Sequence, residues 1–246
     1  MNRRIFIASS LASLGLTACG PVKEGLTNGP FRGALLSAEN LNHAVFGTHG
    51  TAREYADADV DRDFRVNGLD TPSDSRYAGL AKAQFAEYRL AVDGLVDRPQ
   101  QFTLAQLRAA GDRTQITRHD CVEGWSAIGK WRGTPLARVL AMAQPKANAR
   151  YCVFHCFDVD QSGTPYYESL DLHQAAHPQT LLALDLNDKP LDADHGAPVR
   201  LRVPTQLGYK SAKWVSRIEL VAGYENIGSG SGGYWEDQGY EWYAGI

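Results

Sequence analysis

The chain has 246 residues, 43% of them hydrophobic and 22% charged, with a formal net charge of −3. These values exclude a disordered chain, a collagen-like fibre and a disulfide-dense mini-protein. They also give no support to nucleic-acid binding, which shows as a basic excess.

The first twenty residues read as an address. Arg3 and Arg4 make a positive start, followed by a mostly apolar run to Ala18 that ends in small residues. That is the pattern of a secretory signal, too short to span a membrane stably. Arg3-Arg4-Ile5-Phe6 resembles the twin-arginine export motif, which carries folded proteins. Leu16-Thr17-Ala18-Cys19 resembles a bacterial lipobox with Cys19 as the lipidated residue; a plain cleaved signal is the other reading. Residues 1–18 are therefore assigned as signal, 19–60 as tether and N-terminal wrap, and 61–246 as one domain. The expected location is periplasmic, with a lipid anchor at Cys19 if the lipobox is used.

Asp57, Asp59, Asp61 and Asp63 alternate along the wrap. An EF-hand counted from Asp59 needs Gly and Glu where Phe64 and Asp70 stand, so a solvated loop is the better account. From residue 85 the pattern becomes regular. The stretch 88–92 alternates and reads as a strand stopped by Asp93-Gly94. Thr103 and Gln106 form a capping box for a helix that Gly111 ends. Residues 115–119 read as a strand leading into a loop that holds Cys121, Gly124 and Trp125. Thr134 and Pro135 supply a cap and a first-turn proline for a helix over 136–142. Strands are expected over 151–159, 166–169, 181–186, 199–203 and 214–221, with a short helix near 172–176. Strands outnumber helices without alternating with them, so the expected class is α+β, a single mixed α/β domain. There is no P-loop, no Gly-rich dinucleotide turn and no c-type haem motif.

Cys121 lies where a strand meets a loop, a common place for chemistry. A buried structural cysteine is the competing reading. Cys152 and Cys156 are four apart on one strand, about 13 Å from each other, and cannot pair; both read as core. The segment from His195 to Arg217 carries Arg200, Arg202, Lys210, Lys213 and Arg217 and no acid. Guanidinium, ammonium and backbone N–H groups in one place suit a phosphate-bearing ligand. A solvated basic sheet face is the alternative.

Three motifs, CVEGWS at Cys121, HGAPVRLRVP and GYKSAKW, together resemble the sulfite oxidase fold of molybdopterin oxidoreductases. The likeness runs from about Phe64 to Ile246. It implies molybdenum–molybdopterin as cofactor, with Cys121 as the thiolate ligand to the metal. It implies pterin-phosphate contacts from His195, Arg200, Ser211, Ala212 and Lys213. Asn67, in Val66-Asn67-Gly68, takes the place of the family's N-terminal cofactor asparagine. Asp158, at the end of the strand over 151–159, matches a position lining the same site and is expected to act in catalysis beside Cys121. Sulfite oxidases carry Arg-Asn-His where this chain has Val66-Asn67-Gly68, so Arg65 is displaced by one position, which on a strand reverses the face. With no C-terminal dimerisation sandwich in the sequence, the chain resembles more the small stand-alone branch of the periplasmic methionine sulfoxide reductase catalytic subunit. His195 is the sulfite oxidase form, where that branch has asparagine.

The resemblance implies oxygen-atom transfer on a small-molecule substrate, leaning to S-oxide reduction with electrons from a membrane cytochrome b, by a monomer. Sulfite oxidation is the alternative direction. Two other classes stay open: a cysteine nucleophile built from His119 and Cys121, two apart on one face, and a non-catalytic exported binding module. Five aromatics fall between Tyr234 and Tyr243. They read as packing over an exposed edge of the core or as a docking surface for an electron-transfer partner.

Overall fold

A computed structural model describes residues 50–68 and 71–246. The signal and lipobox, and most of the tether, lie outside the described residues.

Two five-stranded sheets carry the fold. The first has strand order β2-β1-β10-β5-β6, formed by β1 (Leu90–Gly94), β2 (Gln100–Phe102), β5 (Tyr151–Val159), β6 (Pro165–Asp171) and β10 (Val215–Val221). β1 pairs with β10 in parallel and the other neighbours are antiparallel. The second sheet has order β3-β4-β7-β8, with β9 (Arg200–Arg202) also paired to β7 (Leu181–Leu186). Its remaining strands are β3 (Arg113–Cys121), β4 (Trp125–Pro135) and the two-residue β8 (Lys189–Pro190). Residues 50–60 run along the outer edge of β3, where Glu54 bridges Thr117 and the Tyr55 N–H donates to the Ile116 carbonyl. The wrap thus covers an otherwise open strand edge.

Sequence periodicity marks several elements well. β5 and β7 have the expected bounds, because both are predominantly apolar and buried, β5 at six of nine positions and β7 at all six. The capping box forms as expected at α2 (Leu104–Ala110): Thr103 accepts the Gln106 N–H, and Gln106 returns the bond. Other elements differ from expectation. β1 begins two residues late and includes Asp93 and Gly94, because Arg217 holds Asp93 from the parallel neighbour. α3 (Leu136–Ala143) has no side-chain cap; the Thr134 hydroxyl donates to the Leu107 carbonyl, and the Leu136 N–H goes to Thr180. α1 (Ser75–Lys82) was not expected at all, and is capped by the Asp74 carboxylate. α4 (Leu172–Ala175) is the short helix anticipated after β6.

The largest correction is β4. The stretch after Cys121 is not a loop but an eleven-residue strand, joined to β3 by a tight turn at Val122-Glu123-Gly124. Its glycines disguise it. Gly129 leaves room for the Trp131 and Phe64 rings, and Gly133 lies against the β7 backbone at Leu182. In a strand, glycine then marks a close approach rather than a bend.

The main core joins the first sheet, with Cys152 and Cys156 as free thiols, to Leu182, Leu184 and Leu201 of the second. A smaller cluster around Trp131, Phe64, Ala183 and Leu186 lies on the second sheet. This second cluster backs the site.

Candidate functional site

A cavity of about 400 Å³ opens at the end of the β3–β4 hairpin. Cys121 lines it from the last position of β3, paired with Trp125 across the turn. Asp158 lines it from the end of β5. Asn67, Ser211, Ala212 and Lys213 complete the part of the wall that the sequence anticipates. Six of the candidate residues, far apart in the chain, are therefore brought to one cavity.

His195 and Arg200 stand behind that wall. The Arg200 guanidinium donates to the Asn67 side-chain oxygen at 2.8 Å and to the His195 carbonyl at 3.2 Å. His195 places its two ring nitrogens against Asp192 (2.7 Å) and the Phe64 carbonyl (2.9 Å). The Lys213 ammonium donates to the carbonyls of Asn67 and Asp194, at 2.8 and 2.9 Å, and lies 4.2 Å from the Trp214 ring centre. Ser211 accepts the Val203 N–H on its hydroxyl oxygen. These contacts pin the segment around Asn67 to the basic stretch.

The basic segment divides by role. Lys210 and Arg217 are spent on carboxylates: Lys210 on Glu168 and Glu236, Arg217 on Asp93 and Glu219. This corrects the expectation that both add to a phosphate site. Arg200 and Arg202 are fully buried, on a strand with no exposed face, so the solvated-face reading fails. Among the described residues, neither has a carboxylate partner. Both guanidinium groups lie over the Trp131 ring, at 5.2 and 5.4 Å. Burial pulls Arg200 down to about 10, and burial with the neighbouring Arg200 charge pulls Arg202 down to about 9. Among the described residues, Arg200 Nε and Arg202 Nε and Nη1 have no hydrogen-bond partner.

Burial also pushes the Asp158 carboxyl up to about 6 against the pull of Lys213, and its buried Oδ1 has no partner among the described residues. The Cys121 thiol is raised, first by burial and then by the Glu123 carboxylate. His119 is buried between the Phe64 and Trp125 rings, and among the described residues neither of its nitrogens has a partner. Burial, Arg200, Arg202 and Lys213 all hold it neutral. The thiolate–imidazole pair that a cysteine nucleophile requires is not formed.

Sequence reasoning missed part of the wall. Tyr166 and Tyr209 line the cavity, as do Tyr234, Trp235 and Tyr240 from α5 (Tyr234–Asp237) and the turn after it. The aromatic run was legible; its place at the cavity was not, because nothing local links residue 235 to residue 121. Gly208 was another quiet signal: a Cβ there would run into the His119 ring. Arg65, displaced from the expected position, lies exposed over the Trp125 ring at 5.0 Å and does not line the cavity.

A half-buried thiol and a buried cationic segment, brought together where a mixed sheet meets an antiparallel one, define a class, the cofactor-dependent oxidoreductases of this fold. The chain belongs to the oxidoreductase molybdopterin binding domain family, which matches residues 77–226. A protein of Azospira oryzae with the provisional name protein-methionine-sulfoxide reductase subunit YedZ1 is 36% identical over 250 residues, covering 99% of this chain and 87% of its own. The protein-methionine-sulfoxide reductase catalytic subunit MsrP of Ralstonia nicotianae is 31% identical over 232 residues, covering 89% of this chain and 68% of its own. Among solved structures, the sulfane dehydrogenase SoxCD from Paracoccus pantotrophus superposes with a TM-score of 0.50 at 25% identity. That match covers 56% of this chain and 39% of the other. The protein is an oxidoreductase whose cofactor is molybdenum–molybdopterin.

The residues present fit that group. The Lys213 ammonium and the Ser211 hydroxyl on the cavity wall, backed by the buried Arg200 guanidinium on Asn67, supply the positive charge and donors that an anionic phosphate would need. A half-buried free thiol on the same cavity is a soft donor suited to a thiophilic metal.

Proposed function

We propose that the protein is an exported oxidoreductase that reduces S-oxides, with Cys121 as the metal ligand and electrons drawn from a membrane cytochrome b. Asn67, Ser211, Ala212 and Lys213 would hold the pterin phosphate from the cavity wall, with Arg200 and His195 fixing Asn67 and its neighbours from behind. When bound, the cofactor supplies the two-electron redox change and the site that takes the substrate oxygen. The rest falls to the protein. Reducing an S-oxide to a thioether consumes two electrons and two protons and releases water. Asp158, raised to about 6, is able to carry one proton at its buried Oδ1 near neutral pH.

One observation carries the direction. Among the described residues no arginine lines the cavity; Lys213 is its cation, beside Glu123, Asp158, Asp160 and several aromatic rings. With Lys213 assigned to the pterin phosphate, the remaining charged lining is acidic, which disfavours a doubly charged anion such as sulfite and suits an uncharged oxide with apolar substituents. The names of the relatives from Azospira oryzae and Ralstonia nicotianae agree with this choice. The twin-arginine-like start supports export, since a buried pterin has to be inserted before transport of a folded chain.

The test uses mature protein purified from a molybdopterin-producing host, with reduced methyl viologen as donor. S-oxide reduction well above sulfite oxidation is expected. Brisk sulfite turnover without S-oxide turnover overturns the direction. Cys121→Ala is expected to purify without molybdenum, read by elemental analysis, while wild type carries it; no metal in either would favour the binding-module reading.

A further inference from the structure

Beyond residue 226, where the family match ends, the chain returns to the site. Tyr234, Trp235 and Tyr240 form the outer wall of the cavity. Trp235 stacks on Tyr240 with centres 5.2 Å apart, and Tyr234 stacks on Tyr166 at 5.4 Å. Trp235 and Tyr240 are 38% and 37% exposed, so this wall faces solvent as well as cavity.

The wall is fixed from beneath. Lys210 donates to both Glu168 and Glu236, and all three side chains are buried. Glu236 lies in α5 directly after Trp235. Asp237, next in line, accepts the N–H groups of Ser229 and Ser231 and the Tyr167 hydroxyl. The Tyr234 hydroxyl donates to Asp160, and the Tyr209 hydroxyl to the Glu241 carbonyl. A segment held by one buried ion cluster and several further hydrogen bonds is a built element. It also places large ring faces where a substrate enters.

We propose that Trp235 and Tyr240 are the specificity wall for the apolar, sulfur-bearing side of the substrate, and that Glu236, clamped on Lys210, is the positioning residue that holds them. This rests on the S-oxide reading. Ring faces favour polarizable sulfur and apolar substituents over water. The site therefore selects S-oxides with a bulky aryl or alkyl arm over dimethyl sulfoxide.

The experiment compares wild type, Trp235→Ala, Tyr240→Ala and Glu236→Gln holoenzymes on methyl p-tolyl sulfoxide and dimethyl sulfoxide, with molybdenum content measured on each. In Trp235→Ala the ratio of kcat/KM for the aryl over the dimethyl substrate is expected to fall about 10-fold, through KM, at wild-type molybdenum content. Tyr240→Ala and Glu236→Gln are expected to move it in the same direction by less. Equal losses on both substrates, or a loss that follows molybdenum content, would make the segment a structural support and overturn the proposal. An unchanged ratio overturns it too. If wild type reduces no S-oxide, the functional reading fails first, and the wall is judged by a second readout. Metal-free protein is labelled at Cys121 with maleimides of graded size, read by mass spectrometry of that peptide. A wall that screens the cavity makes Trp235→Ala react faster with bulky reagents relative to small ones; an unchanged size dependence overturns it.

Discussion

Asp158 shows how a single residue carries both a cost and a use. Its carboxyl sits at about 6 in the folded protein because burial disfavours the charge, against 3.8 for the free group. Above pH 6 the group is ionised in both states, and the fold bears the full penalty of the buried charge. Below 3.8 it is neutral in both, and the penalty vanishes. Asp158→Asn in the metal-free protein should therefore raise the melting temperature at pH 8 and leave it unchanged near pH 3.5. Equal shifts at both pH values would mean that lost hydrogen bonds, not charge, dominate. The same substitution in the holoenzyme removes the proposed proton carrier, so S-oxide turnover should fall at pH 7. Most of the candidate residues were legible because each sits in a short motif with its chemistry on show. His119 was weighed only as a partner for Cys121. Its actual neighbours, Phe64 and Gly208, are remote in sequence, and only packing reveals them.

At the scale of elements, the buried cluster of Lys210, Glu168 and Glu236 joins the turn at Gly208–Lys210, β6 and α5. One cation serves two carboxylates. Burial and the Glu236 charge push Glu168 well above the carboxylate range, even beside Lys210. Lys210→Met leaves two buried acids without a cation and should cost about 3–5 kcal/mol in urea unfolding. Glu168→Gln mimics the neutral form that burial already favours, so it should cost clearly less. The reverse order would mean that Glu168 is the ionised partner. Elements with strong apolar runs, such as β5 and β7, could be read directly. β4 could not, because Gly129, Gly133, Lys130 and Arg132 look like loop chemistry. In the fold, the glycines admit Trp131 and the β7 backbone, and the charges reach Asp57, Asp188 and Asp112 at the surface. The acids along the wrap also find uses within the protein: Asp57 pairs with Arg62 and Lys130, and the Asp61 carboxylate accepts the Ile128 N–H.

For the whole molecule, Arg200 and Arg202 tie stability to the cofactor. Among the described residues these two fully buried guanidinium groups have no carboxylate partner, a charge that disfavours the empty fold and that an anion in the cavity in front of Arg200 offsets. A ligand that binds only the native state stabilises it by an amount that grows with the logarithm of its concentration over its Kd, about 4 kcal/mol at a thousandfold excess. Loaded protein should therefore melt several degrees above metal-free protein, measured by calorimetry on the two separated forms. Identical transitions would mean that the arginines are satisfied without the cofactor. The two-sheet plan was only partly readable from the sequence. Element types indicated a mixed α+β domain, but pairing depends on contacts between distant segments, which local periodicity does not encode.

The parallel pairing of β1 with β10 has a consequence for synthesis. Ala91 faces Arg217, yet β10 is the middle strand of its sheet, flanked by β1 and β5. The strand that the ribosome makes last is the one the sheet needs at its centre. At roughly 5–20 residues per second, β1 waits on the order of ten seconds for its partner. During that time the β1–β2 and β5–β6 pairs each present an unfilled edge, the state most prone to wrong partners. A nascent chain of this kind depends on shielding until its last strand arrives, and only then does the pocket exist for a cofactor to enter.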